Sequence, residues 1–413
     1  MSTETLTLEG QRVATYTNAD QPTRPSEVTP DTPLESLNLN WREKDLPERE
    51  RTKHVHRLHP YLGKFIPQLV EVFLRKYFKP GQTVLDPFCG SGTTLVQANE
   101  LGVNAIGYDI SAFNVLLCRA KLERYDLRVL RAEVRDILAK TRKAVDVQPV
   151  AHPTLWELDV PAFSISDGDS EYLRQWYAPQ ALRELLTYRH LIESGGYTYQ
   201  ALLKVILSRS ARSARLTTHF DLDFPKRPQT EPYWCYKHSR QCSPTTEALK
   251  FIQRYSLDTV RRIEEFAVRR TDASTTVYHA DSRCVSFPQI DGVVTSPPYV
   301  GLIDYHDQHA YAYYLLGLRD NSHREIGAAA NGSSRKAQQQ YQLDIAQVFS
   351  RAIERMPHGG RMIIVAGDRA NLYPKIAELV GVEVEGVIQR HVNRRTGRRS
   401  SEFYESVFVW RKK

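Results

Sequence analysis

The segment Thr295 to Tyr299 reads Thr-Ser-Pro-Pro-Tyr and directly follows the apolar run Gly292-Val293-Val294. These residue types suit a reaction at an exocyclic amine, whose conjugation with an aromatic ring leaves it barely nucleophilic. Oxygen acceptors must hold the protons of such an amine so that its lone pair points at an electrophile. A serine hydroxyl and the carbonyl of a stiff Pro-Pro turn are suitable acceptors, because proline fixes its own φ and has no N–H to donate. An ordinary Pro-Pro turn at the end of a strand is the alternative.

A glycine-rich segment much earlier in the chain suits the binding of a cofactor. Thr83-Val84-Leu85 leads into Asp86-Pro-Phe-Cys-Gly-Ser-Gly-Thr-Thr94 and then into a helical pattern. Gly90 and Gly92 permit positive φ and a close approach of a ligand, and the helix N-terminus beyond them offers free N–H groups. The next strand ends in Asp109, where nucleotide-binding βαβ units hold ribose hydroxyls. The spacing favours a cofactor that contains adenosine, and a dinucleotide enzyme is the competing interpretation.

Together the two motifs resemble those of the S-adenosylmethionine-dependent DNA amino-methyltransferases of the Thr-Ser-Pro-Pro-Tyr type, which methylate an exocyclic amine of a DNA base. The resemblance covers roughly residues 55–125 and 275–413, counted by motif position. It implies an α/β fold with a Rossmann-like, doubly wound methyltransferase sheet, S-adenosyl-L-methionine as the cofactor and double-stranded DNA as the substrate. It leaves open a cognate restriction endonuclease that acts as a separate protein. The motif order, with the catalytic loop after a long insertion, departs from that of many enzymes with such a cofactor loop.

The resemblance also implies roles for individual residues. Asp109 would lie near the ribose of S-adenosylmethionine, Asp281 near its adenine, and the segment 59–67 would close over its methionine end. The expected cofactor-binding residues are His59, Tyr61, Gly63, Lys64, Phe65, Asp86, Pro87, Phe88, Gly90, Ser91, Gly92, Thr93, Asp109, Ile110, Asp281 and Thr295. The expected catalytic residues are Ser296, Pro297, Pro298 and Tyr299. Ser296 and the Pro297 carbonyl would accept hydrogen bonds from the amine, and Tyr299 would stack on the flipped base.

The residue before the two prolines bears on which base is methylated. The family's adenine enzymes usually have Asp or Asn where this chain has Ser296, and a serine there is typical of the cytosine-N4 group. Cytosine N4 is therefore the expected target, with adenine N6 as the alternative, because some Ser-Pro-Pro-Tyr enzymes methylate adenine. An RNA or protein amino-methyltransferase and a non-catalytic DNA-binding protein are further alternatives. Asp304 and Tyr305, just after the loop, are candidates for positioning the base.

The chain divides into an N-terminal arm, a catalytic core and an insertion. Residues 1–45 are polar with little periodicity and predict a flexible arm. Residues 46–125 and 275–413 form the expected core, and 126–274 the expected insertion, mainly helical and suited to target recognition. Helical runs within the insertion cover 182–191, 199–208 and 248–266.

Basic residues in the insertion and near the C-terminus are candidates for phosphate contacts. A basic hairpin tip is expected over 389–401, between two strands. The DNA-binding candidates are Arg209, Arg212, Arg215, Lys237, Arg394, Arg395 and Arg398. A solvated helical face or hairpin tip is the alternative for each residue.

Composition is compatible with this function but does not identify it. The 413 residues carry 56 basic and 48 acidic side chains, a net charge of +8, which suits a polyanionic partner. No apolar stretch approaches the ~20 residues of a membrane helix, and the N-terminus lacks a secretory signal. Five scattered cysteines suit a reducing compartment. A prokaryotic cytoplasmic enzyme, associated with the nucleoid, is expected, and its oligomeric state is not predicted.

Cys235, His238 and Cys242 raise the question of zinc, with His219 as a fourth ligand. Their irregular spacing falls short of the paired Cys-x-x-Cys pattern typical of structural zinc. No metal site is therefore predicted from the sequence.

Overall fold

The computed structural model describes residues 5–8, 11–14, 21–61, 63–146, 167–216, 227–235, 238–301, 303–392 and 403–413. The strands in these ranges are β1 (Thr5–Leu8), β2 (Gln11–Ala14), β3 (Thr83–Asp86), β4 (Asn104–Asp109), β5 (Tyr233–Cys235), β6 (Arg240–Cys242), β7 (Thr275–His279), β8 (Gly292–Thr295), β9 (Arg361–Ala366), β10 (Glu383–Val392) and β11 (Phe403–Arg411).

Helices alternate with these strands over most of the described chain. They are α1 (Glu48–Arg51), α2 (Pro67–Tyr77), α3 (Thr93–Glu100), α4 (Ala112–Leu122), α5 (Leu127–Asp146), α6 (Asp167–Trp176), α7 (Pro179–Ser194), α8 (Gln200–Ala214), α9 (Leu249–Ala267), α10 (Tyr305–Gln308), α11 (Ala310–Leu316), α12 (Arg335–Glu354) and α13 (Tyr373–Val380). Short 3-10 turns cover Pro25–Glu27, Leu34–Ser36, His54–Arg57, Ser322–Arg324 and Ala329–Asn331.

One sheet organises the core, with the strand order β1-β2-β10-β11-β9-β8-β3-β4-β7. The five strands from β9 to β7 pair in parallel, and β11 runs antiparallel to both β9 and β10. From β3 the chain builds outward through β4 to β7, then returns to the other side of β3 for β8 and β9. The predicted doubly wound α/β methyltransferase sheet is therefore confirmed, and its order reverses between β3 and β8, where such sheets bind ligands.

The central strands are apolar because both faces of the sheet are covered. Neighbouring residues of one strand point to opposite faces, so that Val84 and Leu85 belong to two separate hydrophobic clusters. Val294 and Val293 divide in the same way. Near-continuous apolar runs are typical of parallel strands that are buried on both faces. The carboxyl end of the sheet consequently holds the polar residues that follow each strand.

The N-terminal segment is attached more firmly than its composition predicts. Leu37 and Leu39 are 0% and 1% exposed and belong to the main hydrophobic cluster. The indole N–H of Trp41 donates to the Thr23 carbonyl at 2.9 Å, and β2 pairs with β10. The prediction of a flexible arm over 1–45 is wrong for this described part, because a few apolar side chains within the polar sequence pack onto the core.

The insertion is mainly helical in its described part, as expected. Helix α7 covers the predicted run 182–191, and α8 and α9 begin one residue after the predicted starts at 199 and 248. Leu203 and Ile206 of α8 belong to the same hydrophobic cluster as Phe113 of α4, so the insertion extends the core rather than standing apart from it. Among the described helices, none has both the length and the apolar character needed to cross a membrane.

Candidate active site

The glycine loop between β3 and α3 has a backbone that only glycine accommodates easily. Gly90 and Gly92 have φ of +48° and +77°. A Cβ on Gly92 would lie 2.8 Å from Cys118 Sγ, and one on Gly90 would lie 3.3 Å from Tyr61 Oη. Left-handed geometry and close packing therefore both require the small residues of this loop.

Asp109, at the end of β4, fixes the loop by accepting hydrogen bonds from three donors. Its Oδ2 accepts from the Gly90 N–H at 2.8 Å. Its Oδ1 accepts from the Ser111 N–H at 2.8 Å and from Asn114 Nδ2 at 3.1 Å. Burial raises the pKa of Asp109 despite these donors. The carboxylate thus shapes the glycine loop and also lines the pocket beside it.

Two buried hydrogen bonds join the cofactor loop to the Thr-Ser-Pro-Pro-Tyr loop. The Thr295 hydroxyl donates to Asp86 Oδ1 at 2.6 Å, and the Thr94 hydroxyl donates to the Val294 carbonyl at 3.2 Å. Burial raises the pKa of Asp86 to about 6, although hydrogen bonds from Thr295 and Phe88 favour its charged form. The two loops, far apart in the sequence, therefore form one unit at the ends of adjacent parallel strands.

The catalytic loop is anchored on both sides of its prolines. The Tyr341 hydroxyl donates to the Pro298 carbonyl at 2.9 Å. The Tyr299 hydroxyl donates to Glu405 Oε1 at 2.7 Å, and Arg390 Nε donates to Glu405 Oε2 at 2.9 Å. The Tyr299 side chain is only 8% exposed, so its position is fixed by the last two strands of the sheet.

One pocket at the carboxyl end of the sheet brings most of the predicted site residues together. The predicted residues that line it are Tyr61, Gly63, Lys64, Phe65, Pro87, Phe88, Gly90, Ser91, Thr93, Asp109, Ile110, Asp281, Ser296 and Pro298. The predicted residues outside its lining are His59, Asp86, Gly92, Thr295, Pro297 and Tyr299. Some of these six residues contact one another behind the pocket lining, as the hydrogen bond between Thr295 and Asp86 shows.

His59 is placed behind the pocket rather than in it. Its Nδ1 lies 2.8 Å from the Pro60 carbonyl, and its Nε2 lies 3.2 Å from Ser208 Oγ and 3.3 Å from Tyr311 Oη. Burial lowers the pKa of His59, which favours a neutral ring. The prediction of a direct cofactor contact is therefore not met in this structure, because the ring attaches the segment before the glycine loop to α8 and α11.

Asp281 is held in place by two arginines. Arg283 Nη2 donates to Asp281 Oδ2 at 2.8 Å, and Arg324 Nη2 donates to the same oxygen at 3.1 Å. Burial disfavours the charged form, but the hydrogen bonds from Arg283 outweigh it, so the pKa of Asp281 lies below its usual value. Ser282 donates to the Pro87 carbonyl at 2.7 Å, which links this strand end to the glycine loop.

The structure adds pocket residues that were not among the predicted site residues. Tyr305, proposed on the sequence only for the base, stacks on Tyr61 with ring centroids 6.1 Å apart. The other additions are Cys89, Ser111, Asn114, Ala280, Ser282, Arg324, Glu325 and Ile326. Ser111 caps α4, a position that the sequence signals, and Asn114 lies one turn further on. Arg324 ends the 3-10 turn Ser322–Arg324, Glu325 and Ile326 follow it, and no sequence motif marks this segment.

Two lysines contribute positive charge around the glycine loop. Lys121 is fully buried on α4 and donates to the Ser91 carbonyl. Lys64 donates to the His56 carbonyl at 2.7 Å. Burial lowers the pKa of Lys64 to about 7 and that of Lys121 to about 8. Lys121 was missed on the sequence because it lies in an otherwise ordinary helical pattern.

The lining suits S-adenosylmethionine, which carries donor hydroxyls, an amine and a cationic centre. Asp109, Asp281 and Glu325 supply acceptors and negative charge, and Phe88 and Ile110 supply apolar surface. Ser91 Oγ lines the pocket and is buried without a hydrogen-bond partner among the described residues. A buried hydroxyl of this kind is ordinarily satisfied by a ligand or a water molecule.

Comparisons with known proteins identify the family. A family model described as DNA methylase matches residues 14–117. The type II methyltransferase M.MjaII of Methanocaldococcus jannaschii is 38% identical over 430 aligned residues, which cover 88% of this chain and 81% of that protein. The chain belongs to the DNA amino-methyltransferase family. S-adenosyl-L-methionine, the cofactor that the motifs predicted, is the cofactor of this methyltransferase.

Other similarities to this methyltransferase are more distant. The type II methyltransferase M.BsoBI of Geobacillus stearothermophilus is 23% identical over 313 residues, 68% of this chain and 56% of that protein. Among solved structures, the rRNA methyltransferase AviRa of Streptomyces viridochromogenes has a TM-score of 0.32 at 12% identity, covering 86% of this chain and 88% of that one. A score of this size adds nothing to the strand order described above.

The arginines predicted to face DNA from α8 are largely buried. Arg209 is 8% exposed, donates to Asp258 Oδ2 at 2.7 Å and lies 4.2 Å from the centroid of Tyr255. Arg215 is 0% exposed, with its guanidinium 4.7 Å from the centroid of Tyr311. The prediction is therefore wrong for these two residues in this structure, because α8 packs between other helices. Arg212 is half-buried, and Lys237, Arg394, Arg395 and Arg398 lie outside the described residues.

A basic cleft elsewhere was not predicted as a site. It lies between α1 with the turn that follows it and α9. Its lining residues are Arg49, Lys53, His54, Arg57, Arg261, Arg262, Glu265 and Arg269. The sequence did not predict this cleft, because the spatial approach of α1 to α9 is not visible in the sequence.

Proposed function

We propose that this methyltransferase transfers a methyl group from S-adenosylmethionine to the exocyclic N4 amine of cytosine in duplex DNA. The observation that carries the proposal is the pocket shared by Ser296 and the cofactor loop, with Thr295 and Asp86 fixing one loop to the other. Ser296 offers a hydroxyl oxygen as the acceptor where the family's adenine enzymes usually have Asp or Asn. Adenine N6 is the second candidate.

The chain's own contribution is to position the amine and stabilise developing charge. Ser296 Oγ and the Pro297 carbonyl accept hydrogen bonds from the two amine protons and direct the lone pair. The Pro298 carbonyl accepts from Tyr341, which helps to hold the preceding Pro297 carbonyl in place. Bound S-adenosylmethionine supplies the electrophilic methyl group. The N–CH3 bond forms as the S–CH3 bond breaks, and the amine then gives up one proton to solvent. Pre-arranged acceptors of this kind lower the barrier without reorganising during the reaction.

Two tyrosines have separate roles in this proposal. Tyr299 stacks on the flipped base, and its bond to Glu405 keeps the ring in place. Tyr305 lines the pocket next to Tyr61. Stacking on an aromatic ring is worth about 1–3 kcal/mol per base, enough to offset part of the cost of removing a base from the duplex.

Duplex DNA as the substrate is supported by the named activity of M.MjaII and by the basic charge of the chain. The same relationship supports a modification role beside a separate endonuclease.

To test the proposal, the methyltransferase is expressed in a host that lacks DNA methylation, and the genome is sequenced by a method that separates N4-methylcytosine from N6-methyladenine. One sequence motif marked at cytosine N4 supports the proposal.

Matched variants connect the marks to the site. Ser296→Ala should abolish them, whereas Ser194→Ala, at the exposed end of α7, should not. Methylation at adenine would agree with the proposed mechanism but contradict cytosine as the target base. No marks, with cofactor binding intact, would favour an amine in RNA or protein.

A further inference from the structure

The small hairpin formed by β5 and β6 brings three soft donor atoms together outside the active-site pocket. Its strands pair Tyr233 with Cys242 and Cys235 with Arg240. Nδ1 of His238 lies 3.5 Å from Cys235 Sγ and 3.3 Å from Cys242 Sγ. The three donor atoms all lie within 4.8 Å of one another.

We propose that Cys235, His238 and Cys242 bind a Zn²⁺ ion that holds this hairpin in its folded form. Zinc binds thiolates at about 2.3 Å and imidazole nitrogen at about 2.0–2.1 Å. In a tetrahedron these lengths place a sulfur and a nitrogen about 3.6 Å apart. The two sulfur–nitrogen distances in the hairpin are close to this value. Binding releases the proton of each thiol, because thiolate is the form that binds the metal.

Burial in the hairpin supports the same conclusion. Trp234 is 54% exposed, and His238, Arg240 and Gln241 are also exposed. Among the described residues from 233 to 242, only Cys235 and Cys242 are buried. Two strands of three residues with so little apolar interior are marginal in water on their own. A metal ion bound by both buried side chains would provide the missing stability, as in small zinc-dependent motifs.

The site has the character of a structural metal centre. None of its three residues lines the active-site pocket, and thiolate and imidazole ligands are those that zinc prefers in structural sites. Three side chains leave one tetrahedral position for a further donor. His219, considered on the sequence as a fourth ligand, lies outside the described residues and is not assigned. The sequence-based prediction of no metal site is therefore replaced by this proposal, because spacing alone did not show that the hairpin brings the donors together.

The first test measures metal bound to the full-length protein. The protein is purified after expression with added zinc, and bound metal is determined by elemental mass spectrometry. The proposal expects about one zinc ion per chain, and a thiolate-to-metal charge-transfer band when cobalt replaces zinc. His238→Ala and the double variant Cys235→Ser/Cys242→Ser should each lower bound zinc to below about a tenth of this value. Cys284→Ser, which removes the exposed cysteine, should leave it unchanged.

Three results would overturn the proposal. One is the absence of zinc and of cobalt spectra after reconstitution, with S-adenosylmethionine binding intact. Another is equal zinc content in His238→Ala and the wild type, which is informative even if the cysteine variant fails to fold, because His238 is exposed. The third is a peptide mass lower by two hydrogens, which would show a disulfide between Cys235 and Cys242. Since none of these measurements depends on methyl transfer, they are independent of the proposed function.

Discussion

The pocket between β3 and β8 is built from loops, whereas the insertion is built from helices, and the two regions use polar residues differently. In the pocket, strand ends place Asp109, Asp281 and Ser296 along one ligand-sized cavity. In the insertion, Arg209 and Arg215 are drawn into the packing between helices. Where loops follow parallel strands, the topology brings polar side chains to a common edge. On a helix, exposure depends on which faces its neighbours cover.

The first prediction concerns cofactor binding at the glycine loop. Gly92→Ala forces a Cβ to 2.8 Å from Cys118 Sγ at a φ of +77°, so we expect cofactor binding to weaken at least about tenfold, since the loop must shift. Gly381→Ala is the matched control, because Gly381 has a φ of +75° with nothing within 4 Å of a Cβ.

Both glycine variants should lose about 1 kcal/mol of stability from the left-handed backbone. Calorimetric titration with S-adenosylmethionine separates this shared cost from the clash. Equal affinities in the two variants would show that the packing of the loop against Cys118 is not needed for binding.

The next effect concerns the aromatic ring of the catalytic loop. Tyr299→Ala should lower kcat at least about a hundredfold, because the base loses its stacking partner. Tyr299→Phe retains the ring and removes the hydroxyl that donates to Glu405, so a decrease of about tenfold or less is expected. Single-turnover rates with a cognate duplex provide the measurement. Similar rates for the two variants would instead assign the role of Tyr299 to its hydroxyl.

A moderate effect is expected at the bond between the two loops. Thr295→Val removes the donor to Asp86 and should lower the free energy of unfolding by about 1–3 kcal/mol. Thr276→Val, at an exposed position of the edge strand β7, is the control. Denaturant titration measures both. An unchanged stability in Thr295→Val would show that the two loops are held together by other contacts.

The burial of Asp86 predicts that stability depends on pH. Burial raises the pKa of Asp86 from 3.8 to about 6, so the folded protein binds this proton more tightly than the unfolded chain. The contribution of Asp86 to stability is therefore present below about pH 4, decreases as pH rises through about 6, and then stays constant. Asp86→Asn should lack this decrease while still accepting from Thr295. Asp31→Asn, at an exposed position, should retain it.

The last prediction separates buried arginines from arginines that face DNA. Arg209→Met should cost about 1.5–3 kcal/mol of stability, through the lost bond to Asp258, and leave the salt dependence of DNA binding unchanged. Arg394→Gln, in the predicted hairpin tip, should instead reduce the salt slope by about one. Binding assays at several salt concentrations measure both. A reduced salt slope for Arg209→Met would support the contact with DNA that the sequence predicted for Arg209.

The sequence predicted the parts of this site that depend on local patterns. The prediction of a strand, a glycine turn and a helix around Gly90 was correct, because the backbone there is determined by neighbouring residues. The same holds for the buried strand before Ser296. The bond between Thr295 and Asp86 was not predictable, although both residues were named, because it depends on the pairing of β3 with β8. Helix runs in the insertion were predicted by periodicity, but which arginines they bury was not.

The most direct test of the central claim is the identity of the methylated nucleoside. DNA treated with purified enzyme and S-adenosylmethionine is digested and analysed by mass spectrometry, for the wild type and for Ser296→Ala, after both are shown to bind the cofactor equally. We predict N4-methyldeoxycytidine from the wild type and at least about a hundredfold less from Ser296→Ala. Equal product from the two proteins would contradict the role of the joined loops, and N6-methyldeoxyadenosine would contradict the proposed base.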